Sequence, residues 1–229
     1  MLQLSGLVQL NNNELRPDML TRLLTTLALI FTISATAKPI ATKDELVSPL
    51  LNGQNIPNVS ISDINGKSTN LAKLANQKPT IFFFYRGGWC PYCNAQMGQI
   101  QSIQPKLLKM GFQIVGISPD TPEKLKESMT KNDLGYQLLS DPEMKAAKAF
   151  GVAFFTSERT TKRYASFGVT NPSFTTPKGE KRLVLPVPAM FMTDNKGLVH
   201  FQYVNPNFKV RAEPELVLTA AKLIKKKVK

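Results

Sequence analysis

The chain has 229 residues, of which 42% are hydrophobic and 20% charged, and its formal net charge is +13. That balance excludes a disordered or fibrous polymer and suits one globular domain with a full core, with no room for a second. Two cysteines and one histidine exclude a disulfide-stapled scaffold and leave a closed zinc site without its fourth ligand.

Chain order begins with an address. Met19-Leu20-Thr21-Arg22 is a short basic region, Leu23 to Ile33 an apolar run, and Ser34-Ala35-Thr36-Ala37 an Ala-x-Ala cleavage site. The run is shorter than the ~20 residues of a spanning helix. Residues 1–37 are therefore expected to be a signal peptide, with Met19 as initiator and Lys38 as the first mature residue. The mature protein is expected to be exported to the periplasm. Arg16 and Arg22 cancel Glu14 and Asp18, so the positive excess belongs to the mature chain.

Residues 38–54 form an N-terminal extension in which Lys43 to Leu51 is expected to be a short helix. The domain proper occupies 55–229. Val59 to Leu71 reads as a hairpin turning at Asn65-Gly66. The uninterrupted run Thr80 to Tyr85 predicts a central strand covered on both faces. Met97, Ile100, Ile103, Leu107 and Leu108 recur at helical spacing, predicting a helix from Pro91 to Met110 that Gly111 ends. Phe112–Ile117, Pro122–Lys131, Tyr136–Leu139 and Pro142–Phe150 continue as strand, helix, strand and helix, which implies a parallel β-α-β core. Residues 153–185 show no period and carry Asn171-Pro172 and Pro177, so they read as an irregular insertion, a cover or flap. Ala189–Thr193 and Leu198–Val204 form a hairpin about Asp194–Gly197. A helix over Glu213–Lys227, burying Leu216, Leu218, Ala220 and Ile224, closes the chain. Its end, Lys225-Lys226-Lys227-Val228-Lys229, reads as a solvated tail available to an anionic surface; no nucleic-acid motif accompanies it. The fold class is α/β, a central mixed sheet with a parallel β-α-β core and a C-terminal β-hairpin plus helix.

The chemistry concentrates at Arg86-Gly87-Gly88-Trp89-Cys90-Pro91-Tyr92-Cys93, where the central strand gives way to the long helix. This carboxyl edge is where open α/β sheets bind ligands. Pro91 suits the first helical position, which places Cys90 at the cap and Cys93 in the first turn. Unpaired N–H groups and the positive helix end favour a thiolate there, and Arg86 adds a cation nearby in sequence. A disulfide closing so small a loop contributes little stability, so the pair is read as redox-active rather than structural.

At these residues the chain resembles the thioredoxin superfamily. Cys90-Pro91-Tyr92-Cys93 is identical to the glutaredoxin tetrapeptide, and Trp89 before it is similar to thioredoxin. Over roughly Ile56 to Leu223 the chain further resembles a bacterial, peroxiredoxin-like branch of the alkyl hydroperoxide reductase and thiol-specific antioxidant (AhpC/TSA) family. Phe84 to Cys93, Gly116-Ile117-Ser118-Pro119, Leu139-Ser140-Asp141, Pro188-Ala189-Met190-Phe191, and Asn205-Pro206 with Arg211-Ala212-Glu213-Pro214-Glu215 carry that likeness. The resemblance implies a thioredoxin-like fold, and a cis-proline facing the cysteines at Val187-Pro188. Against the family's Pro-x-x-x-Thr-x-x-Cys pattern, Arg86 replaces the proline, Cys90 replaces the threonine, and Cys93 takes the peroxidatic place. The family's arginine near the fourth strand has no match at Pro188.

The implied function is an antioxidant thiol peroxidase cycling between the Cys90/Cys93 dithiol and disulfide, with peroxide as substrate and an external dithiol as electron donor. Cys93 is the attacker by the family pattern, and the more exposed Cys90 by thioredoxin logic. Arg86, Trp89, Pro91, Tyr92 and Pro188 are the supporting residues; no metal or organic cofactor is implied. A thiol-disulfide oxidoreductase acting on exported proteins is the alternative. A copper-handling protein of the Sco type, which would use His200, is disfavoured by its wider cysteine spacing.

Overall fold

The computed structural model describes residues 38–169 and 171–227; the expected leader at 1–37 lies outside the described residues. The domain opens with the hairpin β1 (Ser60–Asp63) and β2 (Ser68–Asn70). Asp63 Oδ1 accepts from the backbone N–H groups of Asn65 and Lys67 and fixes the turn. A short helix α1 (Leu71–Ala75), capped by Asn70, leads to β3 (Thr80–Phe84). Then follow α2 (Pro91–Lys109), β4 (Gln113–Ser118), α3 (Pro122–Lys131), β5 (Gln137–Ser140) and α4 (Lys145–Ala149). The sheet runs β10-β9-β3-β4-β5-β1-β2, where β9 (Ala189–Thr193) and β10 (Val199–Val204) are the C-terminal hairpin. The contacts β3–β4 and β4–β5 are parallel, and β9 joins β3 antiparallel. The expected mixed sheet with a parallel core is therefore present.

Every residue of β3 is buried, and the pleat divides them. Ile81, Phe83 and, just beyond, Tyr85 face a core shared with Cys93, Met97, Ile100 and Leu107 of α2 and with Val217, Ala221 and Ile224 of α6 (Pro214–Lys227). Phe82 and Phe84 face the opposite core, around Phe150 and Phe191. The buried stripes differ in part from expectation. Leu108 and Leu216 are solvent-exposed, because the helices turn Leu107 and Val217 inward in their place. Gly111, at φ +92°, ends α2. Its N–H donates to Leu108 and that of Phe112 to Leu107, a Schellman closure in which Phe112 packs back on the helix.

The segment expected to be irregular is ordered. It contains β6 (Ala153–Phe155), α5 (Glu158–Ser166), β7 (Ser173–Thr175) and β8 (Lys181–Pro186), with strands in the order β6-β8-β7. Strands of three residues are too short to display a period, and α5 buries no residue, so it carries no apolar stripe. Its start is set instead by Ser157, whose hydroxyl accepts from the Thr160 N–H. The helix expected over Lys43–Leu51 is only a 3-10 turn, Asp44–Leu46. The rest of that extension is held by backbone pairing: Ala41 exchanges hydrogen bonds with Ala153 and Phe155, and the Leu50 N–H donates to Phe150.

Candidate active site

Arg86, Gly87 and Gly88 form the bridge from β3 to α2, and the bridge is tight. The Gly88 N–H donates to Asp120 Oδ2 at 2.7 Å, and Asn94 Nδ2 donates to the Gly88 carbonyl at 2.9 Å. A Cβ on Gly88 would lie 2.2 Å from Ser128 Oγ, and one on Gly87, at φ +140°, 2.4 Å from the Trp89 indole nitrogen. Gly87 needs glycine for its backbone conformation, and at Gly88 any side chain would force Ser128 to move. The chain then enters α2 with Cys90 at the cap and Pro91 in the first turn, the placement expected from sequence.

Both cysteines are free thiols and both are buried, Cys90 at 1% exposure and Cys93 at 0%, so Cys90 is not an exposed member of the pair. Burial and chemistry distinguish them in another way. The Cys90 thiol is lowered to about 6, first by the hydrogen bond from the Cys93 thiol, against the opposing effect of burial; the Cys93 backbone N–H and the charges of Arg86 and Arg211 add to the lowering. The Cys93 thiol is pushed well up, by burial first and then by the ionised neighbour it bonds. The dithiol thus holds one proton on Cys93, shared toward a Cys90 thiolate.

Two guanidinium groups flank the sulfurs. Arg86, 4% exposed, lies 4.2 Å from the Phe208 ring centroid, 5.1 Å from Tyr164 and 5.2 Å from Trp89, and its Nη2 donates to the Tyr164 hydroxyl. Its Nε is buried without a hydrogen-bond partner. Arg211, in the loop between β10 and α6, donates from Nη2 to Cys93 Sγ at 3.5 Å, while its Nε and Nη1 are buried and unpartnered. Sequence reading missed Arg211 as a site residue, although it opens the Arg-Ala-Glu-Pro-Glu phrase. A loop has no period, and 118 residues separate it from Cys93.

The remaining expected residues fall into place around this centre or depart from it. Trp89 packs on Tyr164 with centroids 5.0 Å apart and donates its indole N–H to Asn171 at 3.1 Å, so the insertion holds it. Tyr92 is exposed and meets Phe208 edge-on at 5.7 Å. The Val187–Pro188 bond is trans, contrary to expectation; no cis peptide occurs among the described residues. The trans bond leaves the flanking backbone groups satisfied: the Val187 N–H donates to Val152 and the Pro188 carbonyl accepts from Asn205, so no cis turn is needed to enter β9. His200 is bonded to Asp194 at 3.0 Å beside the β9–β10 turn.

Chemically, this is a thiolate and a thiol in one helical turn, with a buried Arg86 and a half-buried Arg211 whose free N–H groups can receive a developing oxyanion. Comparison with known proteins agrees with that chemistry. Residues 52–202 match the model of the AhpC/TSA family. Peroxiredoxin Bcp of Escherichia coli (strain K12) is 33% identical over 106 residues, 46% of this chain and 67% of that one. Chloroplastic peroxiredoxin Q of Populus jackii is 33% identical over 110 residues, 48% of this chain and 51% of the other. Among solved structures, peroxidoxin BcpB from Mycobacterium tuberculosis shares the fold at a TM-score of 0.58 and 20% identity, covering 76% of this chain and 97% of that one. Reduced Prx3 from Vibrio vulnificus, solved in complex with hydrogen peroxide, does so at 0.61 and 17%, covering 75% and 99%. With a family match across most of its length and the thioredoxin-like architecture those relatives share, the chain belongs to the AhpC/TSA family of peroxiredoxin-like oxidoreductases.

Proposed function

We propose that the protein is a thiol peroxidase in which Cys90 and Cys93 together reduce hydrogen peroxide or an organic hydroperoxide. The observation that carries this reading is the placement of the pair: Cys90 at the cap and Cys93 in the first turn of α2, with Arg211 on the Cys93 sulfur and two arginines keeping unused N–H donors; the lowered Cys90 thiol agrees with it. The Cys90 sulfur attacks the distal peroxide oxygen, forming an S–O bond as the O–O bond breaks. The departing alkoxide or hydroxide takes the Cys93 proton, which leaves Cys90 as sulfenic acid and Cys93 as thiolate. Cys93 then attacks the Cys90 sulfur, hydroxide leaves, and the disulfide closes. Arg211 takes the place of the arginine absent at Pro188, since its Nη2 reaches the Cys93 sulfur from another element. An external thiol restores the dithiol. A second reading, with Cys93 as the attacker as the family pattern has it, is favoured by the Arg211 contact to Cys93. Export to the periplasm remains part of the proposal, supported by the apolar run and the Ala-x-Ala site in residues 19–37.

Rapid mixing of the reduced protein with hydrogen peroxide tests the function, because Trp89 is the only tryptophan, adjoins Cys90 in sequence and packs against the core that contains both cysteines. A fast, stoichiometric change in fluorescence is expected. Trapping of the sulfenic acid in Cys93→Ser, with none in Cys90→Ser, assigns the attack to Cys90; the reverse result assigns it to Cys93. No sulfenic acid in either variant rejects the peroxidase.

A further inference from the structure

A cavity of about 750 Å³ is lined by Arg86, whose charge acts on Cys90, yet neither sulfur lines it. A ligand held there has no need to react. The buried lining residues are Arg86, Phe155, Thr156 and Pro188, and half-buried Phe154, Tyr164 and Phe208 continue the walls. We propose that this cavity binds an aromatic carboxylate, with its acid group on Arg86 and its ring against these walls, and that the bound acid favours the disulfide form of the protein. The binding is independent of the peroxidase reading; the preference for the disulfide rests on the Cys90/Cys93 cycle of that reading.

Charge decides the head group. At the rim, Lys43, Glu45, Lys178 and Glu180 are solvent-exposed and Asp44 and Arg182 half-buried, with Arg182 paired to Glu180 at 2.7 Å. Positive and negative groups match in number there and stand in or near water, so they discriminate little. Arg86 differs. It is 4% exposed, it takes part in no ion pair among the described residues, and its side chain makes one hydrogen bond among them, to the Tyr164 hydroxyl. Its Nε is buried without a partner. The rings of Phe208, Tyr164 and Trp89 stabilise the cation but leave its in-plane donors unused. Tyr164 and Phe208, which hold the guanidinium, line the cavity with it. The other buried polar side chain, Thr156, already donates to the Leu183 carbonyl at 3.0 Å. A carboxylate matches the guanidinium fork and its single charge, whereas a phosphate dianion would bury a second charge without a partner.

The walls decide the body. Phe154, Phe155, Tyr164 and Phe208 present rings, and Pro177 and Pro188 add rigid apolar faces, which favours an aromatic group over a flexible chain. The volume falls within the ~300–1,000 Å³ of small-molecule sites. The link to redox state follows from Arg86, whose charge favours the Cys90 thiolate. When the two cysteines close a disulfide that negative charge disappears, and Arg86 is free to pair with the acid alone. The acid therefore binds the disulfide more tightly than the dithiol, and by reciprocity it resists reduction without any bond to sulfur.

Calorimetry with naphthylacetate tests the binding on the Cys90→Ser/Cys93→Ser protein, which carries no thiolate and needs no oxidant. One-to-one binding is expected, with the uncharged naphthylacetamide weaker by roughly tenfold or more. Arg86→Met should bring the acid down to the amide, whereas Lys43→Ala/Lys178→Ala at the rim should change its affinity by less than about twofold. Octanoate, with the same charge and no ring, should bind more weakly than the aromatic acid. In the unmodified protein at neutral pH, the diamide-oxidised disulfide should bind several-fold tighter than the dithiol, and the acid should shift the equilibrium with dithiothreitol toward the disulfide. Equal affinity for acid and amide, or as large a loss in the rim variant as in Arg86→Met, overturns the site. Octanoate binding as tightly as the aromatic acid overturns the ligand class, and equal affinity for the two redox forms overturns the link to redox state. Failure of diamide to close the disulfide would instead remove the Cys90/Cys93 cycle, and the serine variant decides the binding separately.

Discussion

Arg211 reaches Cys93 from the loop between β10 and α6, and its Nε and Nη1 nitrogens are buried with nothing to bond. Leaving charged donors unsatisfied is costly unless a ligand pairs them. Arg211→Ala is expected to slow oxidation by peroxide on the order of 10²-fold, the usual cost of removing an oxyanion donor. Arg211→Lys should recover part of it, read from single-turnover rates. The paired thiols also leave a signature in stability. Cys90 is depressed from its ordinary 9.0 to about 6, so the folded state gains from its ionisation fully above pH 9 and loses that gain as pH falls through 6. Cys93 is raised, so its contribution is complete below 9 and declines as pH climbs further. Relative to Cys90→Ser/Cys93→Ser, the reduced protein should therefore be most favoured near pH 9. Urea melts across pH 5 to 11 measure this.

At the scale of the element, the bridge from β3 to α2 sets the geometry of the pair. Gly88→Ala drives a methyl group into Ser128 Oγ and is expected to destabilise the protein by about 1–3 kcal/mol. Adding Ser128→Ala removes the clashing oxygen, so the double variant should regain most of the loss, a coupling that thermal melts of the four proteins would show. Legibility followed apolar patterning and turn signals more than length, since the six-residue β8 escaped the reading while the three-residue β2 did not. The five-residue β3 and the 19-residue α2 announced themselves by burial on two faces and by helical spacing, which is why the redox pair could be placed at their junction from sequence. β6, β7 and α5 could not be read, being short or without an apolar stripe. Nor could Arg211, whose position depends on how the loop after β10 folds back, or the trans bond at Pro188, which local sequence does not determine.

For the whole molecule, the sheet divides the interior into two cores with different duties. One contains the cysteines; the other gathers Phe150 against Phe82, Phe84 and Phe191, with centroids 5.9, 4.9 and 5.2 Å away. Phe150→Ala should cost about 3–5 kcal/mol, yet leave the Cys90 titration where it was. Thiolate absorbance at graded pH, set beside denaturant unfolding, checks both halves of that statement.

Both sulfurs share a single turn of α2 and need no helix to unwind before they join. A sulfenate formed on one therefore has its partner in place at birth, and a second oxidant molecule has little time to carry it to the irreversible sulfinic state. In the proposed cycle, survival under oxidant excess, at the expense of any role as a peroxide-sensitive fuse, follows from the spacing of two residues on one coil.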